Sequence, residues 1–339
     1  MKNCIIPDGF PKERIESLRA WNSDSALNNT VYTFSEATQE EVRHYIEKRV
    51  PDRLLSVDDI QNVVYEPDDL QNLEGEIESV RQQVDTGIGF VVFPSWDKLN
   101  IHQSRVASWL VGNAFGETRG QDDQGSRLIE IYNQSDRLSM KTGSRYHETR
   151  EGNSPHTDAP QVINDPDYLC LRCVSDAWIG GESILVSADS IYNNLLKNAP
   201  DIISILSSDF LFHQRGVPQV GKEEFFAAPV MSMDEGGIRL RFLDHYIREG
   251  HEIAGKPLTN DQERAIQYIN SLCEQSDLQF KAHLASGQQV VFANKRMLHA
   301  RTEFVDRNPA NEIYDLAQLE DLATANRLMD RTWSYKRHK

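Results

Sequence analysis

Cysteine is scarce in this chain. Only Cys4, Cys170, Cys173 and Cys273 occur among 339 residues. Cys170-Leu171-Arg172-Cys173 has the spacing of a redox or zinc motif, but it lies in the strand-like run 168–174, where residues i and i+3 face opposite sides, so two reduced thiols are expected. Long apolar runs are also missing. The longest, Ile88 to Phe93, is far short of the ~20 residues that span a bilayer. The first residues hold no apolar stretch of the kind that directs secretion, and a cytoplasmic location is expected. Basic residues are in deficit, 36 against 52 acidic, for a net charge of −16. Such a field repels phosphate backbones and anionic membranes, so neither nucleic acid nor membrane is expected as a partner. An anionic co-substrate would then need a local cationic anchor.

No internal repeat, low-complexity tract or Gly/Pro/Ser-rich linker divides the chain. One unit is expected over 1–339, with 1–125 a mainly helical buttress and 126–339 a β core carrying a helical insert near 308–329. Helical spacing of apolar residues marks 39–48, 70–84 and 101–115, with a buried-strand pattern at 87–93. From Leu128 onward, short runs rich in β-branched and aromatic residues predict strands at 128–132, 168–174, 183–186, 210–213, 229–233, 238–243, 279–283 and 289–293. Helices interrupt them at 189–198 and after Thr259-Asn260-Asp261-Gln262, a capping-box pattern. The expected fold class is therefore mainly β with flanking helices, and eight short strands suggest a jelly-roll-type barrel.

Chemistry concentrates in Asn153-Ser154-Pro155-His156-Thr157-Asp158 and in Leu298-His299-Ala300-Arg301. Residues i and i+2 of a strand share a face, so the His156 imidazole and Asp158 carboxylate can grip one metal ion while a third ligand arrives from elsewhere. Two imidazoles and one carboxylate on one face of an octahedron suit Fe(II) and leave three positions open. In a chain with ten histidines a His-x-Asp triplet is weak by itself.

The context is more specific. His156-Thr157-Asp158, Gly180-Gly181-Glu182-Ser183 and Asn294 through Arg301 resemble the Fe(II)/2-oxoglutarate-dependent oxygenases of the taurine dioxygenase and clavaminate synthase superfamily. The resemblance covers about 128–337. It implies a double-stranded β-helix core, iron held by His156, Asp158 and His299, 2-oxoglutarate and O2 as co-substrates, and oxidation of an unactivated C–H bond. Ser183 occupies the place of a family Thr that donates a hydroxyl to the 2-oxoglutarate carboxylate. Asp330-Arg331-Thr332-Trp333 matches the local pattern of the family's carboxylate-clamping Arg, making Arg331 the expected anchor, with Arg301 and Arg307 as competitors. The spacing departs from the family, since 308–329 intervenes between His299 and Arg331.

By position, Arg145 is a candidate partner for a substrate carboxylate, and Glu148 and Asp244 for a cationic group. Arg239 and Arg241 share a strand face that either meets substrate or is solvated. His147 is expected as a loop histidine, and the polar stretch 216–228 as a lid. The expected activity is oxidation of a small polar metabolite, an amino acid or derivative, by hydroxylation, desaturation or cyclisation. The alternative is a non-catalytic β-barrel binding protein with a vestigial metal site.

Overall fold

The computed structural model describes residues 6–23, 30–51, 53–135, 137–139, 144, 146–215, 223–308 and 316–337. Two sheets dominate. The larger runs in the order β1 (Phe90–Phe93), β13 (Gln289–Ala293), β5 (Tyr168–Ser175), β16 (Leu328–Tyr335), with β2 (Glu117–Thr118) and β3 (Leu128–Ile131) both flanking the free side of β16. The smaller runs β12 (Gln279–Ala282), β7 (Ser183–Ser187), β14 (Met297–Arg301), β4 (Asn153–His156). Every pairing between these strands is antiparallel, with one isolated parallel bridge from Val31 to Val92 of β1. Two-stranded ribbons add β6 (Ile179–Gly180) with β15 (Phe304–Val305), β8 (Asp209–His213) with β9 (Phe225–Pro229), and β10 (Met231–Asp234) with β11 (Gly237–Leu240).

Period-two alternation sorts the strand residues into layers. Phe90, Val92, Leu169, Val290 and Phe292 point inward and share one apolar layer with Leu185, Phe280 and Met297 of the smaller sheet. The opposite residues of the larger sheet, among them Val91, Phe93, Cys170 and Val291, pack against α1 (Glu36–Arg49), α3 (Gln71–Thr86) and α4 (Ile101–Phe115), with the short α2 (Val57–Gln61) beside them. The outer face of the smaller sheet, Ile184, Val186, Leu298 and Ala300, is covered by α5 (Ala188–Asn198), α6 (Pro200–Leu206), α7 (Asp244–Ile253) and α8 (Asn260–Cys273). The result is mainly β with helices on both flanks. The expected capping box at Thr259 is present, and Asn100 caps α4 with Gln103 in the same way.

The two cysteines of the C-x-x-C spacing do face opposite layers, Cys170 toward the helices and Cys173 inward. Burial pushes their thiols up to about 11 and about 12. Iodoacetamide at pH 8 should therefore leave both unmodified in the native protein and label them only after denaturation, which mass spectrometry of the alkylated peptides would check.

Three sequence expectations need correction. The described part of 308–329 holds a single 3-10 turn, Leu316–Glu320, rather than a longer helix, and residues 309–315 lie outside the described residues. His299, expected near a strand end just past the turn-like residues 294–296, sits mid-strand, because that turn leads directly into β14. The proposed lid 216–228 is in part a strand, β9, while 216–222 lie outside the described residues.

Candidate active site

The register of β14 builds the site. His299 is paired with His156 on β4 and with Leu185 on β7, so residues 143 positions apart in the chain become direct cross-strand neighbours (299 minus 156). Their ring centroids lie 4.2 Å apart. Asp158 follows two residues after His156 and turns its Oδ1 between the two imidazoles, 3.4 Å from His156 Nε2 and 3.5 Å from His299 Nε2. One ligand atom of each residue lies within 4.8 Å of the others, and all three side chains are buried.

The backbone between the two ligands is pinned from several sides. Thr157 donates its amide to Phe242 O (2.9 Å), and its Oγ1 accepts from the Phe242 amide (3.1 Å). Asn294 accepts from the Asp158 amide through Oδ1 (2.8 Å) and donates from Nδ2 to the Asp158 carbonyl (3.0 Å). Arg241 donates to the carbonyls of Pro160, Val162 and Ile163, while Arg239 pairs with Asp165. These two arginines, expected either to meet substrate or to be solvated, instead brace the loop that carries the carboxylate.

The protonation pattern suits a cation. His156 Nδ1 donates to Ser154 O at 2.9 Å, which leaves the Nε2 lone pair facing Asp158. Burial, followed by the neighbouring His156 ring, lowers His299 to about 4, so its imidazole is neutral at physiological pH. Burial alone would raise Asp158. The adjacent Arg331 guanidinium instead holds its carboxyl well below the usual carboxylate range. Its second oxygen accepts from Trp333 Nε1 at 2.7 Å and lies 3.1 Å from Arg331 Nη1. Two imidazoles and an ionised carboxylate on one side of a cavity are the donor set that fits a divalent iron.

That cavity, of about 320 Å³, opens between the sheets. Alternate residues of β16 and its leading residue line one wall: Arg327, Met329, Arg331 and Trp333. The partners between them point the other way, Asp330 making two hydrogen bonds to Arg105 and Thr332 lying close to Gly112, both on α4. The Asp-Arg-x-Trp pattern is therefore split, with its Arg and Trp in the cavity and its Asp in the helix layer.

Several candidates are placed elsewhere. Arg301 reaches the cavity wall but gives Nη2 to the carbonyls of Tyr146, Thr149 and Glu151, which makes it a clamp on that turn. Arg307 pairs with Asp176 at 2.7 Å and does not line the cavity. Asp244 is also off the wall, held by Arg248 at 2.6 Å and Asn270 at 3.0 Å. Glu148 does not line it, and Arg145 lies outside the described residues. His147, expected as an ordinary loop residue, does reach the wall.

Two features escaped the sequence reading. Asn294, quoted only as part of a motif, positions Asp158. Arg327 shares the inward face of β16 with Arg331. Counting back in twos from Arg331 would have found it, had 328–335 been recognised as a strand. Arg327 is buried with its guanidinium 4.8 Å from the Phe304 ring centroid, and its Nη1 makes no hydrogen bond among the described residues. A Cβ added to Gly181 would come within 2.9 Å of its Nε, so Arg327 packs against the Gly-Gly-Glu-Ser turn. Gly180 and Gly181 both have positive φ, 73° and 72°, the left-handed backbone that this turn requires.

With this geometry in view, known proteins are informative. The family described as "Taurine catabolism dioxygenase TauD, TfdA family" matches residues 57–315. FR-33289 synthase of Streptomyces rubellomurinus is 24% identical over 229 residues, 66% of this chain and 66% of that protein. Gamma-butyrobetaine dioxygenase of Homo sapiens is 27% identical over 154 residues, 44% of this chain and 39% of that protein. The match thus spans about two thirds of the first of these curated relatives and well under half of the second. Among solved structures, an asparagine oxygenase in complex with Fe(II), 2S,3S-3-hydroxyasparagine and succinate shares the fold with a TM-score of 0.62 at 15% identity, covering 90% of this chain and 93% of that one. The non-heme iron oxygenase OrfP in complex with Fe and alpha-ketoglutaric acid shares it with a TM-score of 0.60 at 12% identity, covering 91% and 94%.

Proposed function

The chain belongs to the taurine catabolism dioxygenase TauD, TfdA family, and on that premise we propose that it is an Fe(II)- and 2-oxoglutarate-dependent oxygenase oxidising an unactivated C–H bond of a small polar metabolite, an amino acid or derivative. The observation that carries this reading is the convergence of His156, Asp158 and His299 within 4.8 Å at the wall of a cavity large enough for a co-substrate and a small substrate. A double-stranded β-helix core belongs to the same reading, and the two face-to-face sheets support it.

In this proposal His156 Nε2, Asp158 Oδ1 and His299 Nε2 hold the iron, which when bound supplies the redox chemistry that couples 2-oxoglutarate decarboxylation to substrate oxidation. The protein's own work is orientation and exclusion of water. Trp333 and Arg331 fix the second oxygen of Asp158, and Ser154 fixes the His156 tautomer.

The distal carboxylate of 2-oxoglutarate is assigned to Ser183 and Arg327 rather than to Arg331, the anchor expected from the motif. Ser183 on β7 pairs with Arg301 on β14, two residues along from the Leu185–His299 pair, a displacement of roughly 7 Å from the iron side. The buried Arg327, with an unsatisfied Nη1, lines the same cavity and packs against Gly181 two residues before Ser183, while Arg331 is engaged at Asp158. A buried guanidinium with an unsatisfied nitrogen is costly, and a carboxylate is its natural complement.

Anaerobic addition of Fe(II) and 2-oxoglutarate should produce a metal-to-ligand charge-transfer band. An amino acid that perturbs this band should then drive succinate release in air; a protein that binds the metal but never forms the band would sink the reading. Arg327→Met should raise the KM for 2-oxoglutarate about 10- to 100-fold, and Ser183→Ala a few-fold, in keeping with the loss of a charged and a neutral hydrogen bond. An unchanged KM in Arg327→Met would return the anchor role to Arg331.

A further inference from the structure

Among the described residues, two other than glycine adopt left-handed backbone, Ala159 with φ 55° and Arg215 with φ 52°. Both line the same cavity. Such backbone is unfavourable for a residue with a Cβ and persists where surrounding structure imposes it, commonly at ligand sites. Ala159 follows the carboxylate of the metal triad. Arg215 is far from it in sequence and has no part in the iron or 2-oxoglutarate assignments above.

Charge gives an independent reason to look at Arg215. Among the described residues, four guanidinium groups reach the cavity wall, those of Arg215, Arg301, Arg327 and Arg331, against two carboxylates, Asp158 and Glu249. A ferrous ion and a dianionic 2-oxoglutarate cancel each other, so the positive surplus survives loading of the site. In a chain of net charge −16 such an island is a local attractor for an anion. Three of the four arginines are committed, Arg301 to backbone carbonyls, Arg331 to Asp158 and Arg327 to the Ser183 end. Arg215 is held loosely. Its Nη1 lies 3.4 Å from Glu249 Oε2, and that oxygen has its short contact, 2.8 Å, with His213 Nδ1 instead.

Ring contacts connect the metal triad to this arginine. Tyr146 stacks on His156 with centroids 5.3 Å apart and meets His245 at 5.3 Å; His245 meets Tyr246 at 4.5 Å, and the Arg215 guanidinium carbon lies 5.3 Å from the Tyr246 centroid. A small molecule lying along these rings would have one end at the iron and the other at Arg215.

We propose that Arg215 is the specificity-determining residue, taking an anionic group of the substrate at the cavity wall in place of Glu249, so that the substrate carries a carboxylate, phosphonate or phosphate end. What is oxidised rests on the oxygenase reading, whereas the anion site does not.

Calorimetric titration of the Fe(II)- and 2-oxoglutarate-loaded protein under argon with propionate, propylphosphonate, propyl phosphate and neutral propionamide tests the assignment. At least one anion should bind about tenfold or more tightly than propionamide, and the tightest of the three identifies the anionic group. Arg215→Gln should bring that ratio to about one while 2-oxoglutarate affinity, read from the charge-transfer band, changes by no more than about twofold. Glu249→Gln, which removes the competing carboxylate, should tighten the anion severalfold. A wild-type protein without anion preference, or a folded Arg215→Gln protein that keeps it, overturns the proposal. If Arg215→Gln does not fold, unchanged anion affinity in Glu249→Gln overturns it equally. Absence of the charge-transfer band would count against the oxygenase reading, and the same titrations on metal-free protein would still decide on Arg215.

Discussion

His299→Ala protein is expected to form no charge-transfer band with Fe(II) and 2-oxoglutarate and to release succinate at a rate on the order of a thousandfold or more below wild type, corresponding to the several kcal/mol that a bound metal contributes. The argument is geometric. His299 lies in the middle of β14, hydrogen-bonded to β4 on one side and β7 on the other, so the backbone cannot shift to bring another donor forward. Its ring is packed between His156 at 4.2 Å and Phe292 at 5.1 Å, and neither neighbour can replace it, His156 being a ligand already and Phe292 having no lone pair. Anaerobic iron titration followed by visible absorption would check the loss. Survival of the band at wild-type intensity would remove His299 from the ligand set and with it the proposed centre.

The second large effect concerns stability. Asp330→Ala should lower the unfolding free energy by about 3–5 kcal/mol, since removing one partner of a buried pair leaves the other charge stranded. Arg105 on α4 is completely buried and donates from Nε (2.8 Å) and Nη2 (2.6 Å) to the two oxygens of Asp330, with Glu130 at 2.7 Å as a third contact. Burial works against the Arg105 charge, yet Asp330 and Glu130 hold its pKa above the ordinary arginine value. Without Asp330, that cation and the neighbouring buried Arg172 share a layer with only the half-buried Glu130 to offset them. The double variant Arg105→Met/Asp330→Ala should recover part of the loss because the stranded charge is gone. Urea unfolding of the three proteins would check it, and equal stability of Asp330→Ala and wild type would mean that water reaches this layer.

The same residue shows why part of the fold was hidden. Leu328 to Trp333 carries Asp330, Arg331 and Thr332, a composition that reads as solvated, and the preceding 308–329 has leucines at helical spacing. The segment is instead β16, next to the middle of the larger sheet, because Arg105 neutralises Asp330 on one face and the cavity receives Arg331 on the other. Polarity that is satisfied only by distant partners cannot be recognised as buried from a local window. The helices at 101–115 and after Thr259 were legible for the converse reason, since their caps and apolar periods are local. Arg301, Arg307 and Asp244 looked like ligand contacts by position, and their actual partners, backbone carbonyls, Asp176 and Arg248, could not be read from neighbouring residues.

The amino-acid order alone determined the chemical types of the site: an imidazole and a carboxylate two residues apart on a strand, a second imidazole far downstream, and glycines that allow a turn no other residue takes easily. Those properties depend on side-chain chemistry and on backbone periods of two and 3.6, which are local. Only the tertiary structure decided which arginine stands beside Ser183, that Asn294 locks Asp158, and that Arg215 completes the positive wall of the cavity. Each of these depends on the register between strands distant in the chain, and register follows from how whole faces bury together.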